Sequence, residues 1–236
     1  MKTAALVLAV VLALVAASAR ELAATPRRDT RDAPSRDAPC AGCLLVVPDH
    51  PAGLLVVLHG DDAGASSAIS DWRHAARHAQ LALFAPQCPS DRGCQGSWWR
   101  WALSDQHDPQ WLDAQIARAA SAARTDRVYV AGFSGGASYL ASWAPAHAGA
   151  IARVAFVSGG YPASQLCPAR PMSALFLIGS EDPMLERYVR PLADWLTTCA
   201  NVDITWRVVP RLGHAAMHAA LRNGRAAEVV SWLIAR

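Results

Sequence analysis

Gly132-Phe133-Ser134-Gly135-Gly136 has the spacing Gly-x-Ser-x-Gly. A serine hydroxyl becomes a useful nucleophile only when a base takes its proton and a third group orients that base. Glycines on either side have a steric meaning: a strand turning sharply into a helix leaves no room for side chains beside an exposed serine. The same five residues also fit an ordinary Gly/Ser-rich turn. Context separates the two readings. Val128 to Ala131 is apolar and β-branched, as a strand would be, and Gly135 to Trp143 has a helical pattern.

The partners such a serine needs lie downstream. The apolar run ending at Ile178 leads into Gly179-Ser180-Glu181-Asp182-Pro183, and the run ending at Val209 leads into Pro210-Arg211-Leu212-Gly213-His214. An acid and a base thus follow the serine in chain order, each just past a strand. Either Glu181 or Asp182 could be the acid on this reading. His214, after a glycine directly beyond a strand, is preferred as base over His218, which lies deeper in the next segment and reads as a surface histidine. Attack on a carbonyl also requires donors for the developing oxyanion. The backbone N–H of Gly135 is one candidate. The other is the N–H of Asp61, reached through His59-Gly60 after the Leu54 to Leu58 run, with Gly60 allowing close approach and His59 bracing the loop.

Seven short apolar runs read as strands: Leu44 to Val47, Leu54 to Leu58, Leu81 to Ala85, Val128 to Ala131, Val154 to Val157, Ala174 to Ile178 and Ile204 to Val209. Helical patterns cover Ser70 to Gln80, Gln110 to Ala123, Gly135 to Trp143, Tyr188 to Cys199 and about Arg225 to Ile234. Strands apolar on both faces and alternating with helices predict an α/β fold, a mostly parallel sheet with helices on both faces. Reactive groups then belong on loops at the carboxyl ends of strands. Little chain separates Val157 from Ala174, so a small cap or none is expected.

The strand-HG loop, the GFSGG elbow, the GSED segment and the PRLGH segment together resemble the α/β-hydrolase superfamily, over nearly the whole chain from Cys40. Within it they look most like exported serine esterases of the polyhydroxybutyrate depolymerase and feruloyl esterase type. The resemblance implies Ser134 as nucleophile, Asp182 rather than Glu181 as acid, His214 as base, and the Asp61 and Gly135 amides as oxyanion hole. It implies hydrolysis of small-molecule or polymer-borne esters through an acyl-enzyme, with no metal and no organic cofactor. Asp61-Asp62 stand where family members often carry glycine or small polar residues, a departure that bears on substrate identity. The same fold also hosts peptidases, acyltransferases and non-catalytic binding proteins.

Trp98, Trp99 and Trp101 crowd the stretch from 87 to 101, past another strand end. They can line a substrate pocket beside Ser134 or plug one end of the core. Trp143, Trp195 and Trp232 fall in helical patterns and read as core.

The beginning of the chain reads as an address. Lys2, an apolar run from Ala4 to Ala17 and Ala17-Ser18-Ala19 have the form of a signal peptide, residues 1–19, cleaved after Ala19. The run is short for an uncleaved membrane anchor, so no stable membrane insertion is expected after cleavage. Residues 20–39 mix prolines and charges of both signs, as a disordered linker does, and one domain is expected over 40–236. A secreted or periplasmic protein lets its six cysteines pair. Spacing alone does not choose among about 15 pairings. Cys88 with Cys94 would close a small loop, and Cys40 with Cys43 and Cys167 with Cys199 are the pairs expected alongside it. Leu44 to Val47 after Cys43 argues against a redox motif, and the lack of a second Cys-x-x-Cys against zinc. A net charge of +3, without a basic stripe, excludes nucleic acid as an expected partner.

Overall fold

The structure, a computed structural model, describes residues 38–89, 94, 109–151, 153–161 and 166–235. The expected signal peptide, nearly all of the expected linker, and Trp98, Trp99 and Trp101 lie outside the described residues. All seven expected strands are present: β1 (Leu44–Val46), β2 (Leu54–Leu58), β3 (Ala82–Ala85), β4 (Val128–Phe133), β5 (Arg153–Val157), β6 (Met172–Gly179) and β7 (Val202–Val209). They form one sheet in the order β1-β3-β2-β4-β5-β6-β7. Only β1 runs antiparallel, against β3; every other neighbouring pair is parallel.

Six α-helices accompany the sheet among the described residues: α1 (Ala65–His78), α2 (Pro109–Ala122), α3 (Gly135–Trp143), α4 (Arg190–Thr197), α5 (His214–Ala220) and α6 (Ala226–Ile234). The two-residue period of the strands divides the core between the sheet's faces. Leu54, Val56 and Leu58, with Phe156 and Phe176, face α2, α3 and α4 through Leu112, Tyr139, Leu140 and Leu192. Leu55 and Val57, with Leu175 and Leu177, face α1, α5 and α6 through Trp72, Met217, Val229 and Leu233. Burial on both faces is what makes these strands near-continuous apolar runs. Trp143 is buried in the first cluster, and Trp195 and Trp232 are partly buried, one against each cluster.

Two differences from expectation bear on the site. Helix α1 begins at Ala65, five residues before the first strongly periodic position, because its opening turn is small and its cap comes from elsewhere in the chain: the Gln87 side-chain oxygen accepts from the Ala65 N–H at 3.0 Å. The segment after Gly213, outside the helical patterns read from sequence, is helix α5. Its alanines favour a helix, but only Met217 on it is fully buried, so its apolar periodicity is faint. A wide turn over Leu221–Arg225, with Gly224 at φ 109°, joins α5 to α6.

The cysteines pair as expected: Cys40 with Cys43, Cys88 with Cys94, Cys167 with Cys199. Among the described residues no helix is long and apolar enough to cross a membrane.

Candidate active site

Because β2, β4, β6 and β7 are parallel, the residues following them emerge at the same end of the sheet. Ser134 follows β4 directly and opens α3. Its φ of 52° and ψ of −116° put a non-glycine residue in a region side chains rarely occupy, at a cost of about 1–3 kcal/mol. Surrounding backbone holds it there. The Ser134 N–H donates to the Val157 carbonyl at 2.9 Å, and its own carbonyl accepts from the Ser138 N–H at 3.0 Å.

Side chains are excluded on every side of this turn. A Cβ on Gly132 would come within 2.7 Å of the Ala137 nitrogen. One on Gly136 would meet the His59 and Leu58 carbonyl oxygens at 2.5 and 2.6 Å, and one on Gly159 would collide with the Ser134 carbonyl. Gly132 and Gly136 are therefore pressed against backbone, which cannot move aside as a side chain can.

Ser134, His214 and Asp182 form one hydrogen-bonded chain. His214 Nε2 lies 3.0 Å from Ser134 Oγ, and His214 Nδ1 lies 2.9 Å from Asp182 Oδ2. Asp182 accepts only, so the proton belongs on Nδ1 and Nε2 is left to accept from the serine hydroxyl. Asp182 is 4% exposed, and its Oδ1 accepts from the Met184 N–H at 2.9 Å. Burial pushes this carboxyl's pKa up, but the bonds from His214 and Met184 outweigh it and hold the group below the usual carboxylate value. Glu181, the rival acid, is exposed and its N–H donates to the Leu212 carbonyl. His218, the rival base, does not face Ser134; it bonds Asp71.

Gly135 supplies the first amide of α3, and the first amides of a helix have no partner within it. Asp61 sits just past β2, half-buried, and its carboxylate lies against Gly135, where a Cβ would collide with it. His59 straps this loop as expected. Its Nδ1–H donates to the Gly60 carbonyl at 2.8 Å while Nε2 accepts from the Cys88 N–H at 3.2 Å. Both bonds require the neutral ring, and burial lowers its pKa accordingly. Sequence reading missed Gln87, which ties the start of α1 to the end of β3 beside this loop, and it missed the packing role of Phe133. No local signal marks either, since each works through residues far away in the chain.

No protein-family model and no curated protein matches this chain. Solved structures do. An S-formylglutathione hydrolase from Agrobacterium tumefaciens superposes with a TM-score of 0.63 at 14% identity, over 80% of this chain and 87% of that one. This is the α/β-hydrolase fold. An S-formylglutathione hydrolase from Staphylococcus aureus shares the α/β-hydrolase architecture at a TM-score of 0.62 and 12% identity, over 82% of this chain and 92% of its own. A carboxylesterase from Mesorhizobium loti does so at 0.57 and 20%, over 78% and 93%. Within that fold, Ser134 occupies the turn between the strand and helix at the middle of the sheet.

Proposed function

We propose that the chain is an exported serine hydrolase that cleaves carboxylic esters through an acyl-enzyme, with Ser134 as nucleophile, His214 as base and Asp182 as orienting acid. The observation that carries this reading is the unbroken chain from Asp182 through His214 to a serine held on strained backbone. His214 Nε2 takes the Ser134 proton as Oγ bonds to the substrate's carbonyl carbon. The oxyanion so formed accepts from the Gly135 and Asp61 amides. Collapse of the tetrahedral species expels the alcohol, which leaves with the proton held by His214. Water, deprotonated by the same nitrogen, then attacks the acyl carbon, and the acid is released with Ser134 protonated again. Asp182 stays ionised throughout and stabilises the imidazolium formed at each step.

The short stretch between Val157 and Met172 leaves no length for a separate cap domain, which favours small-molecule or polymer-borne esters over deeply enclosed lipids. Within the superfamily we assign the chain to the polyhydroxybutyrate depolymerase and feruloyl esterase type. Trp98, Trp99 and Trp101 are assigned to the substrate pocket on their position in the sequence. Three disulfides favour an oxidising compartment, and with removal of residues 1–19 the site of action is secreted or periplasmic.

The deciding experiment is labelling by a fluorophosphonate, followed by a panel of esters of increasing acyl length. Wild type should be labelled and Ser134→Ala should not. Equal labelling of both, or none of either, removes the reading. Best turnover on long-chain triglycerides would reverse the substrate assignment.

A further inference from the structure

A second buried carboxylate is tied to the helix that carries His214. Asp71, on α1, is 5% exposed. Its Oδ2 accepts from His218 Nε2 at 2.7 Å and its Oδ1 from Arg222 Nε at 2.5 Å. A carboxylate this deep is tolerated only when charge and hydrogen-bond partners compensate its lost hydration, and here both come from one short segment. That segment opens with His214. His218 lies four residues further along α5, and Arg222 sits in the turn just after it.

Residues four apart lie on the same side of a helix. The His214 and His218 rings accordingly rest on one aromatic ring, that of Phe133, with centroid separations of 5.1 and 4.7 Å; the His218 ring is nearly parallel to it, at 21°. Phe133 is 7% exposed and directly precedes Ser134. Its ring also bounds the oxyanion loop, for a Cβ on Gly60 would stand 2.9 Å from Phe133 Cδ1. One ring thus touches the loop before α1 and the helix bearing His214, and its residue is the serine's neighbour in the chain.

Helix α5 spans seven residues, too short to hold a position by its own hydrogen bonds. Its rotation and tilt are set by what its side chains grip. Met217 enters the core, and His218 reaches across to α1, which is itself fixed in the core by Ile69, Trp72 and Ala75.

We propose that His218 is a positioning residue for His214: gripped by Asp71 and stacked on Phe133, it sets the orientation of α5 and so keeps His214 Nε2 within hydrogen-bonding reach of Ser134 Oγ. This rests on the serine hydrolase reading above. His218 touches no reacting atom. Its effect passes through the helix and through Phe133, and it bears on proton transfer rather than on substrate binding.

The test compares His218→Ala, which loses both the bond and the stack, with His218→Gln, which keeps an N–H donor toward Asp71, using a short-chain chromogenic ester, fluorophosphonate labelling rates and thermal unfolding. The expected result for His218→Ala is a fall in kcat of roughly ten- to a hundredfold, the scale on which a small misplacement of a reacting group acts, with KM held within about twofold. His218→Gln should recover most of the lost kcat and labelling rate even where its unfolding midpoint stays below that of wild type. Unchanged kcat in His218→Ala, a loss confined to KM, or equal kcat losses in the two variants would each overturn the proposal. If wild type itself resists fluorophosphonate, the hydrolase reading fails and this inference with it; a reactive wild type beside an unimpaired His218→Ala removes this inference alone.

Discussion

His214 and His147 are each paired with a carboxylate, in opposite ways. His214 gives Nδ1–H to Asp182 and turns its other nitrogen toward the Ser134 hydroxyl, a group that can donate a proton. His147 meets acceptors on both sides. Its Nε2 lies 2.9 Å from Asp113 Oδ2 and its Nδ1 2.7 Å from the Trp143 carbonyl, while its ring stacks on the Trp143 indole at 4.2 Å. Both of its nitrogens face acceptors, so neither is turned toward a hydroxyl that could give it a proton. Asp113 also accepts from Trp143 Nε1 at 2.7 Å. A carboxylate–imidazole pair is therefore no mark of a base by itself. What counts is the group that the far nitrogen faces, and at His147 that group ties α2 to the end of α3.

The largest contrast between the two pairs should be catalytic. Asp182→Asn is expected to lower kcat by about 10³- to 10⁴-fold, the scale seen where an orienting carboxylate is made neutral, with little change in the circular dichroism spectrum. Asp113→Ala should leave kcat within about twofold of wild type; a loss like that of Asp182→Asn would place both pairs in the reaction.

A smaller effect is expected at the elbow, where the two regions meet through α3. Gly136→Ala forces a methyl group onto the Leu58 and His59 carbonyls and should destabilise the fold by about 3 kcal/mol, at the upper end of overpacking costs. Denaturant unfolding measures this, and an unchanged midpoint would mean that β2 gives way easily. Asp113→Ala should cost less, about 1–2 kcal/mol, since it leaves Trp143 Nε1 without its partner.

Acid should separate two stages in a stability profile. His59 is held below its ordinary value of 6.5, so between the folded and unfolded values the unfolded chain binds the extra proton. The stability from this group is complete above 6.5 and drains away as pH falls below it. Asp182 is held below its ordinary value of 3.8; its contribution is present above that value and is lost as pH drops through the lower folded one. Urea midpoints measured from pH 7 downward should decline in that order. Replacing His59 with Gln should remove the earlier decline and keep the later one.

The frame of this molecule was legible because β2, β4, β5 and β6 are buried on both faces, which leaves an unbroken apolar signature. The elbow was legible because backbone contacts at Gly132 and Gly136 admit no other residue. The choice of Asp182 over Glu181 needed the resemblance to known hydrolases, since adjacent carboxylates differ only in which one the turn after β6 buries. The tie from His218 to Asp71 left no mark in the sequence. The two stand 147 residues apart, and a half-exposed helix with one buried side chain gives a sequence little periodicity to display. Gln87 escaped for the same reason, because a cap supplied from 22 residues away leaves no trace at the helix start.

The crowding around Ser134 also decides where this protein can vary. Positions 132, 136 and 159 face backbone atoms, and position 179 faces the Leu212 carbonyl, so random substitution there would return almost only inactive or unfolded clones. A search for altered substrate preference would do better at exposed Tyr161 and Glu181, which follow β5 and β6 at the same end of the sheet. The rigid centre and the variable rim are thus adjacent in the chain, Gly159 beside Tyr161 and Gly179 beside Glu181 with one residue between.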